Sequence, residues 1–175
     1  MGLAHTAAQV AVLLGERGLG GNDPDLELRL RRWRSERGMR AENGRRLAER
    51  WAKLLPLPFR GEGRGEGLEP RTPRTPPLPD PLPASGEREL DIAICIALAF
   101  PDRIARRRDA SGESWVSAGG RGFRLDPTSP LARAEWLAVA DTQGMAAGAR
   151  ILSAAQIEAE TVEALFGDRI ETRRS

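Results

Sequence analysis

The sequence of 175 residues is poor in the side chains that most catalytic and metal sites need. It holds one cysteine, Cys95, one histidine, His5, and no tyrosine. A single cysteine excludes an internal disulfide and a multi-cysteine zinc site. A single histidine excludes almost every histidine-based catalytic arrangement. The longest apolar stretch, 92–100, is about half of the roughly 20 residues that a membrane-spanning helix needs, so we expect no membrane partner.

Motifs of phosphate-binding and hydrolytic enzymes are absent as well. The glycine-containing run 15–21 lacks the lysine and the preceding strand of a P-loop, and neither a G-x-S-x-G elbow nor an H-E-x-x-H motif occurs. Asp102, Asp109 and Asp126 have no nucleophile or acid partner at a suitable spacing. The sequence therefore predicts no catalytic residue, no metal site and no cofactor site in this chain. The first residues carry no signal-peptide pattern, so we expect a cytoplasmic protein.

Positive charge is abundant, and almost all of it is arginine. Of the 27 basic residues only Lys53 is a lysine, and they face 25 acidic residues. The guanidinium group binds phosphate bidentately and stacks on bases, although codon bias in a GC-rich genome also raises the arginine content. The basic residues concentrate in 25–54 and 101–124, where they outnumber the acidic residues two to one. This clustering is more informative than the overall charge and favours a polyanionic partner.

A segment rich in proline and glycine, 56–88, separates two regions of ordinary composition. It has neither helical nor strand periodicity, and it cannot bury enough apolar surface to offset its ordering entropy. We expect it to be a disordered insertion. The predicted domain organisation is therefore a helical accessory region over 1–55, the insertion, and a second region over 89–175.

The helical region is predicted to contain three short helices. The apolar stripe of the first consists of Leu3, Ala7, Val10 and Leu14. The second is predicted to begin with Asp23 as its N-cap and Pro24 in its first turn. Its buried stripe is Leu26, Leu30 and Trp33, and its exposed arginines are Arg29, Arg31, Arg32 and Arg34.

The third helix of this region is predicted over 41–55. Its inward residues are Leu47, Trp51 and Leu54, and its outward residues are Arg45, Arg46, Arg50 and Lys53. Such a basic face either lines a channel for a nucleic-acid strand or faces water. A bundle of this size is marginal as an isolated fold.

The second region, 89–175, begins with an apolar helix over 90–100 that is expected to bury the Cys95 thiol as inert packing. Short strands are predicted at 114–117, 122–125, 136–140 and 149–152, and a last helix at about 156–166. The predicted fold class is α+β, with a small bundle of accessory helices followed by a small antiparallel OB-like β domain.

The strongest local feature is the run Pro-Asp-Arg-Ile-Ala-Arg-Arg-Arg-Asp at 101–109. It is expected at the corner between the apolar helix and the β domain, next to the sheet on which OB-type domains bind single strands. The following hairpin adds two more arginines, and Phe123 as an aromatic that could stack on a base. The candidate nucleic-acid-binding residues are Arg106, Arg107, Arg108, Arg121 and Arg124. The alternative for this run is a solvated, charged turn.

These residues resemble the C-terminal half of the bacterial HrpB-type ATP-dependent helicases, which are related to the DEAH-box RNA helicases. The resemblance rests on an ordered series of motifs: Ala-Leu-Ala-Phe-Pro-Asp-Arg-Ile-Ala-Arg-Arg-Arg at 97–108, Gly-Gly-Arg-Gly-Phe-Arg-Leu-Asp at 119–126, Glu-Trp-Leu-Ala-Val-Ala-Asp at 135–141 and Val-Glu-Ala-Leu-Phe-Gly-Asp-Arg-Ile at 162–170. It covers about 1–55 and 89–175, with Asp-Leu-Glu-Leu-Arg-Leu at 25–30 resembling the helical accessory region.

In that family two RecA-like motor domains bind ATP and magnesium, while the helical and OB-like parts complete the nucleic-acid channel. The sequence contains neither the P-loop nor the acid box of the motor domains. The resemblance therefore implies a truncated piece that contacts single-stranded RNA or DNA through arginines and does not hydrolyse ATP by itself. The motor would be supplied in cis or in trans.

Two other interpretations stay open at this level. The chain could be a protein-interaction module that uses Trp33, Trp51 or the proline-rich segment, or a non-functional remnant of a helicase gene. No base-reading motif is visible, so the sequence does not distinguish RNA from DNA.

Overall fold

A computed structural model describes residues 2–54, 87–145 and 147–167 of the chain. Helices and strands occur in separate blocks, which confirms the α+β class. The helices are α1 (Leu3–Gly15), α2 (Leu26–Ser35), α3 (Met39–Leu54), α4 (Glu87–Ala99) and α5 (Ala159–Phe166). The strands are β1 (Ile104–Arg107), β2 (Ser114–Ser117), β3 (Gly122–Arg124), β4 (Trp136–Gln143) and β5 (Ala147–Gln156). Short 3-10 turns cover Pro101–Arg103 and Pro130–Arg133.

The five strands close into a small barrel in the order β1-β2-β3-β5-β4, with β4 hydrogen-bonded back to β1. The closed barrel agrees with the OB-like prediction. The predicted antiparallel pairing is confirmed for four of the five strand pairs, and the fifth pair, β3 with β5, is parallel. Strand β1 was missed altogether, since three consecutive arginines at its end hide the period-two alternation.

Two groups of buried side chains lie on the two sides of the barrel wall. The interior group includes Ala105, Trp115, Phe123, Leu137 and Val139. The second group joins the helices to the outside of the barrel, since residues of α1 to α4 pack with Ile104, Ala138, Ala140 and Ala155. Phe123 is only 4% exposed. The prediction that its ring could stack on a base is therefore wrong.

The start of α2 differs from the prediction by two residues. Asp25, not Asp23, is the N-cap, and one of its carboxylate oxygens accepts the N–H groups of Glu27 and Leu28 at 2.9 and 3.2 Å. Burial raises the pKa of Asp25, against the effect of these two hydrogen bonds. The expected buried stripe of Leu26, Leu30 and Trp33 is confirmed.

Arg29, predicted on the exposed face of α2, is 6% exposed. Its Nε, Nη1 and Nη2 donate to Leu19 O at 3.4 Å, Ser153 Oγ at 3.0 Å and Leu13 O at 2.9 Å. The burial lowers its pKa. This side chain therefore links α1, the loop that follows it and the barrel strand β5.

The inward faces predicted for α1 and α3 are also partly wrong. In α1, Leu3 is 39% exposed, and the buried set is Thr6, Ala8, Gln9, Val10, Val12 and Leu13. In α3 the buried residues are Ala41, Gly44 and Ala48. Trp51 and Leu54 are 38% and 78% exposed, so these two side chains do not belong to the core.

Helix α4 confirms the apolar helix expected at 90–100, although it begins at Glu87 and ends at Ala99. Cys95 is half-buried rather than buried, with its Sγ 3.9 Å from Leu3 O. The predicted insertion, 56–88, lies outside the described residues except for its last two, which form the start of α4. Within the described ranges, no helix combines the length and apolar character that a membrane crossing requires.

Candidate nucleic-acid interface

Alternation along the barrel strands places arginines on the outer face while their neighbours fill the interior. Arg108 continues the β1 ladder, since its N–H donates to Ser114 O at 2.8 Å. Ser114 lies opposite Arg124, and Arg124 lies opposite Arg150 in the parallel partner strand. We call Arg108, Arg124 and Arg150 the arginine row. All three are exposed, and together they cross the barrel surface from the end of β1 to β5.

Each residue of the arginine row has a carboxylate nearby. Asp109 follows Arg108 in the chain, Glu113 pairs with Arg124, and Asp126 interacts electrostatically with Arg150. Arg124 forms an ion pair with Glu113 at 2.5 Å, in which the two side chains are 64% and 43% exposed. The guanidinium groups of Arg108 and Arg150 form no ion pair or hydrogen bond with any residue that the structure describes. Exposed ion pairs contribute little stability. A phosphate group can therefore replace Glu113 as the partner of Arg124 at small cost.

Arg106 lies on the same outer face, one step from the arginine row. It pairs with Glu135 at 3.1 Å, and its guanidinium carbon is 5.4 Å from the ring centroid of Trp136, which lies directly opposite on β4. Trp136 is half-buried, so part of an aromatic surface adjoins the charge. A cation beside an aromatic face is an arrangement that single-strand binding surfaces use.

The other two arginines predicted at the site differ from these. Arg107 is half-buried, and its Nη1 donates to Ala132 O and Arg133 O, each at 3.3 Å. These contacts hold the 3-10 turn before β4 and leave less of its side chain for a ligand. Arg121 is exposed in the β2–β3 turn, where its N–H donates to Ser117 Oγ at 3.1 Å.

The basic residues of the helical region have mostly intramolecular partners. Arg31 pairs with Glu27, and Arg46 pairs with Glu42, one turn apart on the same helices. Arg45 Nη1 donates to the carbonyl groups of Trp33 and Glu36 at 3.0 and 3.1 Å. These pairs partly neutralise the helical cluster. The barrel face is the better candidate for a polyanion.

Asp109 shapes the β1–β2 loop next to Arg108. One carboxylate oxygen accepts Ser111 Oγ–H at 2.7 Å and the N–H groups of Gly112 and Glu113, and the other accepts Ser114 N–H at 2.9 Å. The hydrogen bonds from Ser111 and Ser114 lower the pKa of Asp109 to about 2. The carboxylate is therefore an acceptor that fixes the loop.

The lowered pKa of Asp109 makes the stability of the fold depend on pH in the acid range. Because folding lowers the pKa of Asp109 from 3.8 to about 2, its stabilising contribution is complete above about pH 4 and is lost as the pH falls toward 2. Asp109→Ala is expected to lower the melting temperature at pH 7, and the gap to the parent protein should shrink between pH 4 and pH 2. Asp102→Ala, in the neighbouring 3-10 turn, is the matched control. A gap of constant size across this range would contradict the role given to Asp109.

Sequence reasoning missed two members of the outer face, Arg150 and Trp136. Both lay in strands that the sequence did predict, 149–152 and 136–140. Arg150 stands between the buried residues Ala149 and Ile151, so strict alternation marks it as outward-facing. Its place beside Arg124 depends on the parallel pairing of β3 with β5, for which the sequence holds no local signal.

Within the described residues, no group of acidic, cysteine or histidine side chains could hold a metal ion.

Comparison with solved structures extends the resemblance to the backbone. A crystal structure of the E. coli DExH-box NTPase HrpB matches 94% of this chain with a TM-score of 0.61 and 25% sequence identity. A second structure, described as E. coli DEAH/RHA helicase HrpB, matches 89% with a TM-score of 0.56 and 27% identity. The resemblance to the HrpB-type helicases is confirmed. The HrpB-like chain spans 16% of the length of each of these two proteins. No family model and no curated protein matches the sequence.

Proposed function

We propose that this HrpB-like chain binds single-stranded nucleic acid, without sequence preference, through the arginines on the outer face of its barrel. It would act as the accessory part of an ATP-dependent helicase whose motor domains are supplied in the same or another polypeptide. The observation that carries the proposal is the arginine row, Arg108, Arg124 and Arg150, which crosses neighbouring strands on an exposed surface. Similarity to HrpB over 94% of the chain supports the helicase context.

The fold supports the same assignment. The strand order β1-β2-β3-β5-β4, with the parallel β3–β5 pair, suits an OB-type barrel. Barrels of this type bind oligonucleotides on the face of their second and third strands. In this chain that face carries Arg124, and Arg106 and Trp136 lie beside it on β1 and β4. The proposal includes a cytoplasmic location, where the nucleic acid and the ATP of such a helicase are found.

ATP and magnesium belong to the motor in this proposal. The sequence contains no P-loop to hold the β- and γ-phosphates. We therefore expect no magnesium-dependent ATP turnover from these 175 residues.

The experiment is a fluorescence anisotropy titration of the chain with a labelled single-stranded oligonucleotide at several salt concentrations. If Arg106, Arg108, Arg121, Arg124 and Arg150 each neutralise one phosphate, log Kobs should fall with log salt with a slope of about −3.5. Oligonucleotides of different sequence should bind with similar affinity. Absence of binding at about 50 mM salt, or a slope near zero, would contradict the proposal.

A second candidate function, docking to a protein partner, is favoured by one observation. Trp51 and Leu54 lie exposed on α3, at 38% and 78%. Trp33, the other tryptophan considered for such a contact, is fully buried and cannot take part. Capture of the motor domains that survives nuclease and high salt and is lost in Trp51→Ala would support this function.

A further inference from the structure

Arg106 differs from the residues of the arginine row because its guanidinium group lies over an aromatic ring. The guanidinium carbon is 5.4 Å from the ring centroid of Trp136, the residue directly opposite on β4. Among the described residues, the arginine row makes no such contact. A guanidinium group stacks on flat π systems as well as pairing with phosphate. Arg106 can therefore contribute more to a nucleic-acid complex than its charge.

The ring beneath this guanidinium group is held firmly in place. Trp136 packs against the buried cluster that joins the helices to the outside of the barrel. Its carbonyl oxygen accepts the N–H of Ile157 at 3.2 Å. The carbonyl oxygen of the preceding residue, Glu135, accepts the N–H of Arg107 at 3.0 Å. Both residues that contact the guanidinium group therefore have a fixed backbone.

Glu135 holds the guanidinium group at its edge. One carboxylate oxygen accepts a hydrogen bond from Arg106 Nη2 at 3.1 Å. The Arg106 side chain is nevertheless 59% exposed, so the side of the group that is turned away from Trp136 is open to solvent. A long side chain ordinarily loses rotamer freedom when it binds a ligand. Here the contacts with Glu135 and Trp136 restrict that freedom beforehand, and a ligand on the open side meets a preorganised surface.

The distance to the arginine row suits one nucleotide. Arg106 and Arg108 are both exposed and lie two residues apart along the extended chain, a separation of about 7 Å. One nucleotide of an extended strand spans such a distance. A phosphate group bound to Arg108 therefore leaves an adjoining base beside Arg106.

We infer that the guanidinium group of Arg106, backed by Trp136 and held at its edge by Glu135, is a platform on which one base of the bound strand stacks. Unstacked bases of single strands bind to aromatic rings and to guanidinium planes in this way. Every base has a π face, so the contact adds affinity without adding a sequence preference. The inference rests on the proposed function and gives Arg106 a role beyond its charge.

The test compares oligothymidylate with an abasic oligonucleotide of equal length, each titrated by fluorescence anisotropy. The two strands carry the same phosphates, so the ratio of their dissociation constants reports the contribution of the bases. We expect the parent chain to bind oligothymidylate about tenfold more tightly, as for one stacked base. Arg106→Lys keeps the charge but loses the planar group. It should lower the ratio to about threefold or less and leave the salt slope unchanged.

Two further comparisons separate stacking from charge and from folding. Arg124→Lys is the matched control, because Arg124 is also exposed and paired with a glutamate, Glu113, but lies over no aromatic ring that the structure describes. It should leave the ratio unchanged. Trp136→Phe keeps a ring beneath the guanidinium group and should retain most of the ratio, whereas Trp136→Leu should lower it.

The outcomes distinguish this inference from the proposed function. A ratio near one in the parent chain, an unchanged ratio in Arg106→Lys, an equal fall in Arg124→Lys, or equal ratios in the two Trp136 variants would overturn the inference and leave the proposed function intact. Failure of the parent chain to bind either oligonucleotide would overturn both.

Discussion

Replacing Arg29 with alanine is expected to lower the free energy of unfolding by about 4 kcal/mol. The guanidinium group is 6% exposed and donates hydrogen bonds to Leu13 O, Leu19 O and Ser153 Oγ. Truncation leaves these acceptors without their donor, and the three acceptor residues are themselves only 1–3% exposed. Each unsatisfied buried group costs about 1–3 kcal/mol, so the loss of three contacts accounts for the expected effect.

The location of Arg29 explains why its loss should affect the whole fold. Its partners belong to the end of α1, to the following loop and to β5, so one side chain joins the helices to the barrel. Ala154 N–H also donates to Pro24 O at 2.8 Å and joins the same loop to β5. We expect the helices and the barrel to unfold together in the parent chain and also, at a lower denaturant concentration, in Arg29→Ala, because the apolar core between them remains.

Arg32→Ala is the matched control for this measurement. Arg32 lies on the same helix, its side chain is 53% exposed, and its nearest acidic partner, Asp23, is 3.8 Å away. Replacing Arg32 should lower the free energy of unfolding by less than about 1 kcal/mol, as is usual for exposed ion pairs. Urea denaturation followed by circular dichroism gives both values. Similar losses for the two variants would show that Arg29 does not have the structural role assigned to it.

The second large effect concerns binding. Replacing all three residues of the arginine row, Arg108, Arg124 and Arg150, with alanine is expected to weaken single-strand binding about 100-fold at low salt and to make the salt slope shallower by about 2. The slope changes because fewer counterions are released when fewer phosphates are neutralised. All three side chains are exposed, so the variant should fold like the parent chain.

A control variant that loses three arginines elsewhere tests whether binding depends on the position of the charges. Arg40, Arg46 and Arg50 lie exposed on α3, and their replacement by alanine removes the same three charges from the helical region. We expect this variant to keep its affinity within about threefold and its salt slope nearly unchanged. Equal losses in the two triple variants would mean that net charge, not the barrel face, determines binding.

The parts of the fold that sequence predicted correctly are those in which local pattern and packing agree. Leu26, Leu30 and Trp33 repeat at helical spacing and are all buried. Trp115 fills the barrel from a strand that alternates as expected. Arg29 could not be predicted in this way, because a charged residue in a basic helix is normally exposed and the acceptors that bury it come from distant segments. Trp51 and Leu54 show the opposite case, in which helical spacing indicates an apolar face but the described elements do not cover it.

The sequence predicted most of the arginines of the candidate site, but it did not predict how they are arranged on the barrel. The exposed positions of Arg106, Arg108, Arg121 and Arg124 agree with the sequence-based expectation, while the contacts of Arg107 follow from the 3-10 turn at Pro130–Arg133. Arg150 joins the row only through strand pairing between β3 and β5. Contacts between segments far apart in sequence depend on topology, which periodicity does not encode.

The most direct test of strand binding by the barrel is an NMR titration of the isotopically labelled chain with a single-stranded oligonucleotide. We expect the largest shifts at the amide groups of Arg106, Arg108, Arg124 and Arg150 and at the indole N–H of Trp136, with small shifts along α2 and α3. Shifts concentrated on the helical arginines, with the barrel face unchanged, would contradict the account.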